Sequence, residues 1–466
     1  MNHAKLLTLA IASLLAIPAA HATVNLIAID GLSANMSDLS TETAAPLENG
    51  VPGNKLGGIG SGLAYAGGNT FLAIPDRGPN AVSYNSAVSD TASYIDRFQT
   101  ISMTLAPSAP GSALPFALTP TLTRTTLLHT AHRLAYGDGI AAGLPSGEPA
   151  LNSTNTTHYF TGRADNFNPS KLSTDALDAR LDPESIRVSI DGHNVFISDE
   201  YGPYIYKFDR TSGERVDSYR LPNAFAISTL SANGDYEIAH NSSGRVTNKG
   251  MEGLAISPDG STLFGAMQSP LLQDGGTAGG YIRIVKLDLA TRTTHQYAYP
   301  LTNIGSVSSP KYPTVSDIVA INDHELLVDE RDGKGLGDGS TAAFKRLYRI
   351  NLTGAADVGN SSGSAGLAPF AVSKTLFLDI VQALNAHGIA STEIPAKLEG
   401  VAFGPDVVVN GVGKHTLFVA NDNDFVSTVT DSVHPHGVAN PNLFFVFSVD
   451  ASDLPTYMAQ QFGDIH

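Results

Sequence analysis

The chain has 466 residues, of which 42% are hydrophobic and only 15% charged, with 45 Gly and 26 Pro. Such a composition builds a large core from many strands and tight turns, and excludes a mainly disordered chain or a helical bundle. The formal charge of −16, with no concentrated basic patch, argues against a nucleic-acid partner, and the absence of Cys excludes disulfides, thiolate nucleophiles and zinc–thiolate or iron–sulfur sites.

In chain order, residues 1–22 have the layout of a cleaved signal peptide: Lys5, an apolar run from Leu6 to Ile17, then Ala20-His21-Ala22 before Thr23. The mature chain is then a periplasmic or secreted protein, one unit more acidic than the whole, with no stable membrane insertion. Val24–Ile29 reads as a strand directly after the cleavage point, and Leu443–Val449 as a strand near the other end. These two are expected to share one blade of a ring and close it, leaving no unpaired edge.

Between them lies an imperfect repeat of five copies. Each copy is an apolar strand, a turn through Gly, Asn or Asp, and a second apolar strand ending in polar residues. The copies start at Gly60, Asp182, Met251, Ser316 and Leu398, and their second strands end in Asp76-Arg77, Asp199-Glu200, Gln268, Asp329-Glu330-Arg331 and Asn421-Asp422. Further alternating strands follow at Tyr204–Asp209, Arg215–Tyr219, Tyr281–Leu287, Thr293–Tyr297 and Arg346–Ile350. Four short antiparallel strands per copy make the blade of a β-propeller: an all-β, single-domain fold over 23–466, with five blades by this count and room for a sixth in 106–183. Residues 131–183 read as a loop insertion on one face, with short helical content around Thr174–Ala179. Residues 354–372, rich in Gly, Ala and Ser, read as a mobile insertion, and residues 376–389 as a short amphipathic helix.

The inner strands of a propeller line one channel in a common direction, so equivalent residues form a ring. Glu184, Glu252, Asp317 and Glu399 begin the inner strands, with Ser61 as their counterpart in the first copy. A hairpin reverses direction, so Asp76, Asp199, Glu200, Asp329, Glu330, Asn421 and Asp422 are expected at the same entrance. About ten acids would meet there with few compensating cations. Oxygen-only ligation points to calcium, and less to magnesium. The proposed metal ligands are Asp76, Glu184, Asp199, Glu200, Glu252, Asp317, Asp329, Glu330, Glu399 and Asp422. Arg77 and Arg331 follow strand-end acids, and either hold an anionic substrate or neutralise their neighbours. His434 and His436 form a loop pair that could reach a metal or stand in solvent. Ser61 is not in a Gly-x-Ser-x-Gly elbow, since Ile59 and Leu63 take the glycine positions.

Pro75-Asp76-Arg77-Gly78, Asp182-Pro183-Glu184-Ser185, Ser198-Asp199-Glu200-Tyr201-Gly202-Pro203, Met251-Glu252-Gly253-Leu254, Asp329-Glu330-Arg331-Asp332 and Leu398-Glu399-Gly400-Val401 together resemble the phytase-like family, "esterase-like activity of phytase". The resemblance spans about residues 50–450 and implies a secreted or periplasmic propeller that hydrolyses phosphoesters or esters. Two positions depart from the pattern: Ser185 stands where Gly is usual, and the third copy ends in Gln268, so copies one, two, four and five are expected to do most of the binding.

The preferred expectation is a monomeric calcium-dependent phosphoesterase acting on a phosphorylated small molecule such as phytate. Glu252 or Glu399 would be the general base, and Arg77 and Arg331 would stabilise transferred charge, with Tyr201 joining them in substrate binding. Two alternatives stay open: a metal-dependent lactonase or carboxylesterase, and a non-catalytic ligand- or protein-binding propeller with structural calcium.

Overall fold

The computed structural model describes residues 24–79, 84–89, 91–152 and 154–462. The signal-peptide reading falls on residues outside these. Five four-stranded antiparallel sheets stand in a ring, each with its first strand on the central channel. Blade 1 comprises Gly62–Tyr65, Thr70–Ile74, Arg97–Pro107 and Phe116–Leu127. Blade 2 comprises Pro183–Val188, Asn194–Asp199, Tyr204–Asp209 and Arg215–Arg220. Blade 3 comprises Met251–Ile256, Thr262–Met267, Tyr281–Asp288 and Thr294–Pro300. Blade 4 comprises Thr314–Ala320, Glu325–Arg331, Lys345–Asn351 and Lys374–Asp379. Blade 5 takes Lys397–Val409, Val412–Asp422 and Asn442–Asp450 from the end of the chain, and its outer strand, Val24–Leu32, from the beginning. The ring is thus closed by pairing the two ends of the chain, as expected.

The second strands are almost wholly buried and read as continuous apolar runs, because adjacent blades cover both of their faces. Phe71 of blade 1 packs on Phe418 of blade 5 with ring centroids 4.6 Å apart, an arrangement that adds about 1 kcal/mol to the area buried. Where the inner strands meet, only small residues fit. A Cβ on Gly62 would lie 2.7 Å from Ser185 Cα, on Gly253 3.0 Å from Ile318 N, and on Gly400 2.9 Å from Gly60 O. This explains the recurring Glu-Gly: the glycine lets neighbouring blades touch and the glutamate projects into the channel mouth.

At that narrowest level, four of the five glycine-equivalent positions are Gly62, Ser185, Gly253 and Gly400, and the fifth is Asp317. Its carboxylate fills the axis. It accepts from Val401 N and Ile318 N (2.9 Å each), Leu254 N (3.4 Å), Ser185 Oγ (3.0 Å) and the Arg187 guanidinium (2.8 Å). Arg187 in turn donates to Leu63 O at 2.8 Å, so this one pair touches all five blades. The serine that departs from the Glu-Gly pattern therefore serves as a donor to Asp317. Below this plug, the segment Leu454–Phe462 crosses the other end of the channel. Met458 N donates to Ile321 O, Gln460 Nε2 to Val188 O, and Tyr457 packs on Phe403. Only about 70 Å³ remains open there.

Several local expectations are corrected. Among the described residues no sixth blade lies in 106–183; Arg97–Pro107 and Phe116–Leu127 are long outer strands of blade 1. Residues 174–179 form turns rather than a helix, since Asp175 uses its side chain on Leu177 N and its carbonyl on Asp178 N. Residues 354–372 are pinned rather than loose. The buried Arg283 donates to Val358 O and Ser361 O, and Asp274 accepts from Gly363 N. Of residues 376–389, the first part is the outer strand of blade 4, and the helix is Ile380–Ala386, capped by Asp379. No helix among the described residues is long and apolar enough to cross a membrane.

Candidate active site at the mouth of the channel

The end of the channel opposite the C-terminal segment opens into a cavity of about 550 Å³. Two rings of equivalent positions stand at this end of the channel, and most of their members line the cavity. The first, at the start of the inner strands, is Ser61, Glu184, Glu252, Ser316 and Glu399. In four of the blades the ladder shifts register at this point, so a bulge turns each of these residues toward the axis. The second ring, at the end of the second strands, is Asp76, Glu200, Gln268, Arg331 and Asp422.

Strand alternation decides which of the expected residues belong here. Asp199 and Glu330 precede ring members by one residue and point the other way. Asp199 caps its own turn, accepting from Asp182 N, Tyr201 N and Gly202 N. Glu330 accepts from Tyr299 Oη, Thr302 N and Lys374 Nζ, away from the mouth. Asp317 sits one residue past the ring position, which Ser316 holds, and belongs to the axial plug. Asp329 lies a layer deeper than Arg331, fully buried, with no donor among the described residues on either oxygen. Tyr201 is buried beside the mouth, its hydroxyl donating to Gly162 O and its ring under Arg180. His434 is held between Asp431 and Glu393 and does not reach the cavity.

The remaining expected ligands form two groups. On the blade 2 side, Asp182, Glu184 and Glu200 each offer an oxygen within 4.8 Å of the others, and all three are buried. Glu252 of blade 3 adjoins them. Both Glu200 oxygens and Glu252 Oε2 have no donor among the described residues. Burial, and then neighbouring carboxylates, push Glu184 and Glu252 well above the usual range. The same causes bring Glu200 to about 7. Carboxylates so placed keep protons or take a cation.

On the blade 5 side, Asp76, Asp422 and Asp424 likewise converge within 4.8 Å. Here Lys397 Nζ lies 2.8 Å from Asp422 Oδ2 and 2.5 Å from Asp424 Oδ1. Burial alone would raise Asp422, but the Lys397 ammonium, the Asp424 N–H and Arg331 together outweigh it and hold the carboxyl below the usual range. Arg331 pairs with Glu399 and donates from Nε to Ser316 Oγ at 2.8 Å. Arg77 pairs with Asp182 at 2.7 Å and reaches Asn248. Both arginines therefore neutralise acids while also lining the cavity.

The mouth is less anionic than the repeat implies. Arg77, Lys249, Lys311, Arg331, Lys334 and Lys397 all line it, six cations in place of the few expected. Asp182 and Lys397 each stand two residues before a ring glutamate, so strand periodicity could have revealed them. Lys249, Lys311 and Lys334 lie on connections outside the repeat and carry no such signal.

The chain is similar to several known proteins. An uncharacterized secreted protein of Arthroderma benhamiae is 36% identical over 140 residues, covering 26% of this chain and 27% of that protein. Among solved structures, the Malassezia sympodialis allergen Mala s 1 matches 90% of this chain and 83% of its own, at 12% identity and a TM-score of 0.33. Saccharomyces cerevisiae Sqt1 matches 82% and 69%, at 7% identity and a TM-score of 0.29. The profile of the phytase-like family, described as "esterase-like activity of phytase", matches residues 54–425, and that description points to a hydrolase. With the match running from before the first inner strand to the last acids of the mouth, the chain belongs to the phytase-like family.

Proposed function

We propose that the chain is a secreted, calcium-dependent phosphoesterase that acts as a monomer on a phosphorylated small molecule, phytate being the first candidate. The observation that carries this reading is the pairing of two features at one mouth: carboxylate oxygens lacking donors, on Glu252 in the cavity wall and on Glu200 buried behind it, and six cationic side chains lining the cavity. The carboxylates fit a hard cation, since every ligand is an oxygen and Glu200 and Glu252 have three oxygens left over. Arg77, Arg331 and Lys397 already pair with acids of the mouth, but Lys249, Lys311 and Lys334 have no ion pair among the described residues; these three suit an anionic substrate, which favours a phosphoester over a lactone.

Glu184, Glu200 and Glu252 would hold the metal. When bound, calcium supplies positive charge to phosphoryl oxygens and lowers the pKa of an attacking water. Arg77, Lys249 and Lys311 bind the remaining phosphate oxygens and orient the ester. Glu399 takes the proton from the water as the water oxygen bonds to phosphorus and the P–O bond to the alcohol breaks, and the same carboxyl then returns the proton to the departing alcohol oxygen. Burial raises the pKa of Glu399, the pull of Arg331 and Lys397 notwithstanding, and its pairing with Arg331 fixes the side chain. The axial plug of Asp317 and Arg187 closes the floor, so substrate enters and product leaves by the same mouth.

The test is phosphate release from phytate and from simple aryl and alkyl phosphoesters, with calcium and with chelator. Release is expected with calcium only, and Glu399→Gln is expected to lower kcat by about a hundredfold or more while calcium binding persists. No release from any phosphoester in the presence of calcium would refute the reading.

A further inference from the structure

We infer that Lys397 is a built-in cation: its ammonium group fills on blade 5 the place that blade 2 leaves for a metal ion, so the mouth takes one divalent cation and not two. The inference rests on the metal reading above and adds to it the number of ions and the reason for that number.

Blades 2 and 5 present the same three positions. The residue two before the ring glutamate is Asp182 in one and Lys397 in the other. The ring glutamates are Glu184 and Glu399, and the second strands end in Glu200 and Asp422. The frame is common, and one change of sign distinguishes the two sets. The blade 2 set is itself a three-carboxylate cluster, Asp182, Glu184 and Glu200; on the blade 5 side Asp422 of the set clusters instead with Asp76 and Asp424, also within 4.8 Å.

Their neutralisation differs. On the blade 5 side Lys397 Nζ sits within hydrogen-bond distance of both Asp422 and Asp424, and Glu399 has Arg331. On the blade 2 side Arg77 satisfies only Asp182. Glu200, 1% exposed, has two oxygens without a donor among the described residues, and Glu252, 2% exposed, has one. An ammonium is a compact charge with three donors on a flexible stem. Held among carboxylates, it supplies the charge a metal would bring and occupies the space a metal with six to eight oxygen ligands would need. One cluster therefore holds a cation as folded, bound to two of its three carboxylates, and the other holds none on Glu184 or Glu200.

The experiment counts calcium bound per chain by equilibrium dialysis against calcium chloride, after removal of metal with EDTA. The whole chain is expected to bind one ion. Lys397→Ala and Lys397→Asp, the latter rebuilding the blade 2 set on blade 5, are expected to bind two, and Glu200→Gln none. Two ions on the unmodified chain overturn the inference whether or not any variant folds. One ion on the unmodified chain and still one on folded Lys397 variants, their folding checked by circular dichroism, also overturns it and leaves the metal reading standing. No ion on the unmodified chain defeats the metal reading itself.

Discussion

Removing calcium and raising the pH should destabilise this protein, and the size of the effect follows from Glu200. In the chelated chain its carboxyl, buried and facing Asp182, titrates at about 7, against a usual value of 4.5. Between those values the folded state binds a proton that the unfolded state has lost. Stability therefore falls as pH rises through this window, and the loss is complete above about 7. A shift of this size corresponds to about 3 kcal/mol. At about 2.1 cal/mol/K per residue, 466 residues give an unfolding entropy near 1 kcal/mol/K, so Tm should drop by about 3 °C between pH 5 and pH 8. Glu184 and Glu252 are displaced in the same direction, which makes this a minimum. Groups held below their usual range, such as Glu237 and Glu325, contribute stability that is already present above about pH 4.5 and is unchanged across the window. Calcium at a hundred times its Kd should return about 2.7 kcal/mol at pH 8 and much less at pH 5, where it must displace protons. Scanning calorimetry at both pH values, in EDTA and in calcium, measures all four Tm values. A chelated Tm that is flat or rises from pH 5 to pH 8, or a calcium shift equal at both, would refute the assignment of uncompensated carboxylates to the mouth.

Two further outcomes test the geometry. Asp317→Asn leaves the buried Arg187 without its counter-charge at the point where five blades meet, which should cost about 3–5 kcal/mol and lower Tm by a similar number of degrees. Calcium stoichiometry, measured below the new Tm, should stay unchanged, and a lost ion would place Asp317 in the metal site. Glu330→Gln should weaken the contact with Lys374 and Tyr299 and lower Tm, yet leave calcium affinity within twofold of the unmodified chain, because Glu330 faces away from the mouth. A tenfold loss of affinity would show that the alternation argument misplaces it.

The ring was legible from sequence because the hairpin repeat is carried by apolar strands whose ends are marked by acids. The pairing of Val24–Leu32 with Asn442–Asp450 followed from the need to leave no open edge. Side-chain direction was less legible. Asp199-Glu200 and Asp329-Glu330-Arg331 read as undivided acidic runs, although alternate residues of a strand face opposite ways, and only the pairing register says which of them meets the channel. Asp317 reads as the counterpart of the ring glutamates because it is the acid of its copy, whereas the pairing register gives that position to Ser316, one residue earlier. The rim lysines were invisible because Lys249, Lys311 and Lys334 occupy connections that no repeat specifies.

These particulars bear on how a repeated fold acquires one active centre. Five equivalent blades would give five equivalent positions around the axis, and a symmetric ring of carboxylates would repel itself without favouring any one place for a ligand. The chain breaks that equivalence at single residues. Asp317 replaces a glycine and plugs the axis, Ser185 replaces another to donate to it, and Arg331 stands where other blades carry an acid or Gln. Lys397 stands where blade 2 has Asp182. Each change removes negative charge from one sector or fixes it elsewhere, so at the mouth the carboxylate oxygens without a donor among the described residues are those of Glu200 and Glu252, on the side of blades 2 and 3, while those of Asp329 lie a layer deeper. On the proposed function, the direction of chemistry across the mouth, from a bound cation to Glu399 and the rim cations, would be set by these departures from the repeat, and the repeat itself supplies only the frame that holds them.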